Sequence, residues 1–257
     1  MTSVSFDHIY TSGEYLQDHP DWHLGDAPNK ALDVLAGLMA AIADRPDPTA
    51  PFRLLDVGAG VGGVLDAALK LLARQSPALK IEPLALEISP QAVAKARELF
   101  PQLPIRQEAL SPSSGQFDAL MLIDVLEHLE NPWELLRTVA QCATHLIVRQ
   151  PLLESFAMFR HDAYKSQRET WGHIGLFNVR SFDDMLLACG WKPLKVSLLA
   201  PWELHGNLNG GRWLPRMLVR ANRLLASQFI SGFYLCGAYR RQKSDDATHL
   251  SQSPSNV

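Results

Sequence analysis

From Phe52 onward, short apolar runs alternate with amphipathic stretches, the order that produces parallel strands joined by crossover helices. The apolar runs at 52–57, 80–87, 104–107, 117–123 and 144–149 read as strands. Five such units within about 100 residues predict an open, doubly wound sheet. Between them, Ser89-Pro90 and Asn131-Pro132 each put a capping side chain before a proline, which predicts helix starts. Upstream, Leu32, Leu35, Ala36 and Met39 recur at helical spacing, with Asp26 as the expected cap and Pro28 tolerated in the first turn. Pro46, Pro48 and Pro51 end that helix.

Residues 1–25 carry aromatic and His side chains without periodicity and read as a lid or docking segment. Regular alternation is lost again over 151–178. Ser181 is then expected to cap a helix that Gly190 stops, 192–200 to form a strand, 212–226 a helix, and 233–239 the last strand. The expected fold class is therefore α/β: a doubly wound, mostly parallel seven-stranded sheet with helices on both faces. The expected organisation is a lid and helix over 1–50 and one domain over 51–242. That domain contains the irregular segment 151–178 and a helical insertion at 207–228, and a polar tail over 243–257 reads as disordered.

Composition narrows the chemistry only a little. Apolar residues make up 47% of the 257 and charged residues 20%, as in a folded globular protein. A net charge of −3 argues against a surface built to grip nucleic-acid phosphates. Cys142, Cys189 and Cys236 are odd in number, widely spaced and set in apolar surroundings, so buried free thiols are expected rather than a disulfide framework or a zinc site. No stretch has the length or apolarity of a signal peptide or a membrane span, and a cytoplasmic location is expected.

The most informative segment is Leu54-Leu55-Asp56-Val57-Gly58-Ala59-Gly60-Val61-Gly62-Gly63, an apolar strand running into a glycine-rich turn and a helix. Glycine lets a ligand press against backbone and tolerates positive φ. Gly58, Gly60 and Gly63 satisfy a dinucleotide fingerprint, whereas Asp56, Gly58, Gly60 and Gly62 resemble motif I of class I methyltransferases. A carboxylate at Asp56 suits a ligand with an ammonium group and repels a pyrophosphate. Glu87, which closes the next strand and precedes Ile88, suits ribose hydroxyls in either family.

The block Phe117-Asp118-Ala119 through Ile123-Asp124-Val125-Leu126-Glu127-His128 is more selective. It resembles the fourth-strand signature of class I S-adenosylmethionine-dependent methyltransferases. The resemblance extends over roughly residues 13–200 and is nearest to bacterial members acting on small molecules or glycans. Pro20-Asp21-Trp22-His23 and Trp171-Gly172-His173 resemble further blocks of those proteins. Ala59 stands where many relatives carry Cys, and a small side chain is all the turn requires.

The resemblance implies a Rossmann-like methyltransferase fold and S-adenosyl-L-methionine as cofactor. It implies cofactor contacts from Asp56, Gly58, Ala59, Gly60, Gly62, Glu87, Ile88, Glu108, Ala109, Asp124 and Val125, with Glu108-Ala109 beside the adenine. His173, His128 and His161 are candidate bases, although His128 could equally cap or pack. Trp22, His23, Tyr164 and Arg168 are candidate substrate contacts, because loops over the sheet edge carry function. No separate metal is expected. Neither an Asn-Pro-Pro-Tyr/Phe block nor a Pro-Cys nucleophile is present, so a nucleic-acid base is not the expected acceptor. An oxygen or nitrogen of a small-molecule or glycan-type acceptor is. A nicotinamide oxidoreductase and a catalytically silent scaffold are the alternatives. The arginine-bearing apolar stretch 212–226 fits either an interfacial membrane helix or, as favoured here, a helix packed on the domain with its arginines solvated.

Overall fold

A computed structural model of the chain describes Trp22, residues 24–205 and residues 213–242. The expected lid up to Asp21, His23 and the expected tail from Lys243 lie outside the described residues. Seven strands, β1 (Phe52–Val57), β2 (Ile81–Glu87), β3 (Ile105–Gln107), β4 (Phe117–Ile123), β5 (Ala143–Leu152), β6 (Trp191–Leu199) and β7 (Phe233–Arg241), form one sheet in the order β3-β2-β1-β4-β5-β7-β6. β1 to β5 are parallel, and β7 lies antiparallel between β5 and β6. The expected doubly wound, mostly parallel sheet is therefore the observed one. Its chain order reverses between β1 and β4, the switch point where such sheets open a crevice at their carboxyl edge.

Successive side chains of a strand face opposite ways, so each central strand feeds two cores. Leu54, Ala119, Met121 and Ile147 pack under α1 (Ala27–Ala43), α2 (Gly63–Gln75) and α3 (Pro90–Leu99) through Leu38, Leu65 and Val93. Leu55, Leu120, Leu122 and Val148 face α4 (Pro132–Cys142) and α7 (Val179–Ala188), where Leu136, Val139 and Phe182 bury. The expected starts of α3 and α4 are present: Ser89 Oγ accepts from Ala92 N at 3.3 Å and Asn131 Oδ1 from Glu134 N at 3.2 Å. All three cysteines are free and buried.

Four expectations need correction. Asp26 does not cap α1 through its side chain; it ends a short 3-10 turn, Leu24–Asp26. Asn178, not Ser181, caps α7: its Oδ1 accepts from Ser181 N at 3.0 Å, while Ser181 Oγ accepts from Asn178 N at 3.1 Å. The segment 151–178 is not wholly irregular. It holds α5 (Phe156–Arg160) and α6 (Tyr164–Trp171), and α6 buries no residue, so no apolar stripe announces it. The helix expected over 212–226 is two, α8 (Trp213–Ala221) and α9 (Arg223–Phe229), broken where Asn222 Oδ1 accepts from Leu225 N at 2.8 Å. Among the described residues no helix is long and apolar enough to cross a membrane.

Candidate active site

A cavity of about 950 Å³ opens over the carboxyl ends of β1, β2 and β4. It lies at the upper end of the range for small-molecule and cofactor sites. Its floor is the glycine turn after β1. Gly58 at φ 70° and Gly60 at φ 55° line it, and a Cβ on Gly58 would come within 3.0 Å of Val125 Cγ2. Ala59 lines it too, whereas Gly62 does not. Gly62 precedes α2 at φ 80°, and a Cβ there would meet Leu103 at 2.7 Å, so the residue serves packing.

Glu87 closes β2 on the cavity wall with Ile88 beside it. Its carboxylate accepts from Gly60 N and Ser89 N, both at 2.8 Å, and so ties the acid to the glycine turn. Burial pushes its pKa up, against the pull of these amides. Asp56 is not among the lining residues. It is buried behind the turn, and burial together with the charge of Glu87 raises its pKa to about 8. The local argument that pointed Asp56 at an ammonium group could not see that Glu87 would stand in front of the cavity instead. Glu108, Ala109 and Val125 also line the wall.

Asp124 sits at the end of β4 with a left-handed backbone, φ 55°, which turns the chain sharply at the cavity. Lys30 Nζ lies 3.0 Å from its carboxylate, and Arg149 Nη1 donates to both oxygens at 2.7 and 2.5 Å. Burial alone would raise the Asp124 pKa, but Arg149 and Lys30 hold it below the usual range. Arg149 also donates from Nε to Asp33 at 3.1 Å and lies 4.1 Å over the Tyr234 ring. This chain of charges joins α1, β4, β5 and β7, and sequence reading missed it. An arginine amid the apolar run of β5, Leu146-Ile147-Val148-Arg149, was the available signal.

The opposite wall carries the histidines. His128 Nδ1 lies 3.2 Å from Gly172 O, with its Nε2 4.0 Å from Glu127 Oε1, and His173 Nδ1 donates to Gln167 Oε1 at 3.0 Å, which leaves the His173 Nε2 as an acceptor. The rings meet edge to face at 4.9 Å. Both are drawn together because Ile174 N and Gly175 N each donate to Glu127 O at 2.8 Å, docking the segment after α6 onto the turn Leu126–His128. Burial lowers the His128 pKa to about 4, with the charge of His173 adding to it, and burial also lowers that of His173. Glu127 is fully buried and takes a bond from Gln150 at 3.2 Å through Oε2, while Oε1 has no hydrogen-bond partner. Burial and the Asp124 charge raise its pKa to about 8. Among the described residues, Glu127, His128 and His173 are the set that could hold a metal ion, with ligand atoms all within 4.8 Å of one another.

Of the remaining expected residues, Trp22 lines the cavity. His161, Tyr164 and Arg168 are exposed and do not, since they lie on faces of α6 and its approach that point elsewhere; Gln167 and Trp171 of α6 line it instead. His23 lies outside the described residues.

Residues 26–196 match the family model for a methyltransferase domain. The chain belongs to the class I methyltransferases. Among curated proteins this methyltransferase is 30% identical over 124 residues to the ubiquinone biosynthesis O-methyltransferase of Xanthomonas axonopodis pv. citri (strain 306), covering 46% of this chain and 50% of that one. It is 28% identical over 124 residues to the protein of the same name from Xanthomonas oryzae pv. oryzae (strain PXO99A), covering 47% and 50%. The chain thus spans about half the length of the curated relatives it matches.

In fold the methyltransferase resembles the plantazolicin methyltransferase BpumL solved with SAH, at 13% identity and TM-score 0.60 over 93% of this chain and 95% of that one. It also resembles the magnesium protoporphyrin IX methyltransferase ChlM of Synechocystis PCC 6803 with bound SAH, at 13% and 0.55 over 92% and 97%. S-adenosylmethionine is the cofactor of this family, and the cavity fits it. Gly58 and Gly60 take positive φ on its floor with no side chain to stand between a ligand and the backbone, and the buried carboxylate of Glu87 lines the space above.

Proposed function

We propose that the protein transfers a methyl group from S-adenosylmethionine to an oxygen or nitrogen of a small-molecule or glycan-type acceptor. The observation that carries the acceptor half is the pair His128 and His173, meeting edge to face on the cavity wall, where burial lowers the pKa of both. A hydroxyl or protonated amine must lose a proton as it is methylated, and the imidazole of His173, held through Nδ1 by Gln167, is suited to take it at Nε2. The name of the curated relatives, O-methyltransferase, supports oxygen.

Bound S-adenosylmethionine supplies an electrophilic methyl group on a cationic sulfur. The chain's own residues do the rest. Glu87 offers acceptors for ribose hydroxyls, and Glu108-Ala109 lie beside the place for the base. Gly58 and Gly60 let the ligand lie against backbone. The Asp124–Arg149–Lys30 cluster holds the β4 edge rigid, so that an acceptor is oriented and not merely trapped. His173 accepts the proton at Nε2. The reading carries a cytoplasmic location, supported by three free cysteines, and no nucleic-acid acceptor, supported by the net charge of −3.

Calorimetric titration with S-adenosylhomocysteine, NAD and NADP in parallel tests the cofactor half. Binding of the first on the order of micromolar is expected, with Glu87→Ala weakening it at least about tenfold. Binding of NAD instead would point to an oxidoreductase. Transfer of labelled methyl groups to cell-extract fractions then identifies the acceptor, and binding without any transfer would favour a silent scaffold.

A further inference from the structure

The helix α8 is amphipathic, but it is turned the wrong way round for a helix of a self-sufficient domain. Trp213, Leu214, Met217 and Leu218 fall on one arc at i, i+1, i+4 and i+5, and that arc faces outward: Trp213 is 72% exposed and Met217 58%. Val219, on the opposite side, is the residue of α8 that buries. α9 continues the surface with Leu224, Leu225 and Phe229, all exposed. Phe229 touches Phe156 of α5 at 6.2 Å between ring centroids, and Phe156 touches Phe159, itself 69% exposed. Nine of the fifteen large apolar side chains exposed among the described residues lie on these three helices. A contiguous apolar face of this kind marks an interaction surface.

The unpaired charges carried by the three helices have one sign; the exposed acids Glu154 and Asp162 lie just beyond the ends of α5, and Glu154 is bonded to Asn178. Arg216 and Arg220 run along one edge of the apolar arc of α8, Arg160 ends α5, and Arg180 borders a shallow groove with Leu224 and Leu225. Neither 156–160 nor 213–230 contains an acidic residue. Arg223 is not counted, because it is paired with Glu203 and bonds Leu198 O. We propose that the face formed by α5, α8 and α9 docks on an anionic phospholipid surface. Its apolar side chains would enter the acyl boundary and its arginines meet the head groups. A second copy fits less well. Two-fold pairing through α8 and α9 would bring the same arginines of both copies together, and neither helix carries a carboxylate to meet them. No described helix could cross a bilayer, so the contact is peripheral. The sequence pattern of 212–226 admitted this reading and a packed helix; the outward turn of its apolar arc is what separates them.

The face also leads to the cavity. α5 passes through residues 161–163 into α6, whose Gln167 and Trp171 line the cavity wall. An acceptor dissolved in the membrane would thus be presented next to the site.

The test is co-sedimentation of the full chain with vesicles of phosphatidylcholine, with and without phosphatidylglycerol. Binding is expected only with the anionic lipid and at low salt. Met217→Asp and the pair Arg216→Glu/Arg220→Glu should each weaken it by about tenfold or more. Titration with S-adenosylhomocysteine should be unchanged in both variants, which shows that they fold. Four results would overturn the proposal: no binding at low salt, equal binding to neutral vesicles, unaffected variants, or a solution dimer that Met217→Asp dissociates.

Discussion

His173 and His128 reach the cavity from segments 45 residues apart, yet they meet ring to ring because the Glu127 carbonyl holds two amides of the segment that follows His173. If His173 is the base, His173→Ala should lower kcat by about 10²- to 10⁴-fold with affinity for S-adenosylhomocysteine almost unchanged. An unaltered kcat would move the role elsewhere. Protonated His173 cannot accept a proton, and burial lowers its pKa from 6.5. The acid limb of the rate profile should therefore fall below pH 6.5 and be absent from the His173→Ala variant, which steady-state assays across pH will show. Placement at the cavity was legible in sequence where a residue stands at a strand's carboxyl end, as at Gly58 and Glu87, which both line it. That Asp56 lies buried behind the turn while Glu87 lines the cavity was not legible, because the two are thirty-one residues apart in the chain. Arg149 went unread because its partners Asp33, Asp124 and Tyr234 come from three other elements.

α1 shows how an element outside the βα repeat serves the site. It carries Lys30 and Asp33, which reach Asp124 and Arg149, and it lies close against β7. Gly37 makes that approach possible: a Cβ there would sit 2.7 Å from the Gly237 carbonyl carbon. Gly37→Ala should cost about 1–3 kcal/mol by overpacking, read as a fall in melting temperature. It should also weaken cofactor binding, because α1 must move and take Lys30 with it. Full stability in Gly37→Ala would mean that the approach relaxes freely. Strand positions were legible because apolar runs bounded by turns repeat with little ambiguity. The ends of α7 and the break between α8 and α9 were not. There, Asn178 competes with Ser181, which caps equally well in one dimension, and Asn222 stands inside a stretch that reads as one continuous helix over 212–226.

The whole molecule buries acids and a histidine beneath one cavity, and its stability should record this. Asp56 and Glu127 keep their protons up to about pH 8, whereas the unfolded chain releases them near 3.8 and 4.5. Their contribution is present at low pH and is lost as pH rises through 8. His128 acts in the opposite sense. Folded it protonates at about 4, unfolded at 6.5, so its contribution is present above 6.5 and lost as pH falls through 4. Above pH 6.5 only the acids remain, and the melting temperature of the cofactor-free protein should fall between pH 6.5 and 8. Glu127→Gln should flatten that fall. Calorimetric scans that show stability level or rising over this range would contradict the buried acids.

By itself, the chain's pattern of apolar runs and glycines determined the sheet and the position of the ligand edge, because these follow from local spacing and backbone freedom, and the blocks at 54–63 and 117–128 carried the resemblance to the family. Which side chains face the cavity, how Asp124 is locked, that His128 meets His173, and that α8 shows its apolar side to solvent were decided only by the tertiary structure. Each of these depends on segments far apart in sequence being brought within a few ångströms, and no periodicity along one segment encodes where another will stand.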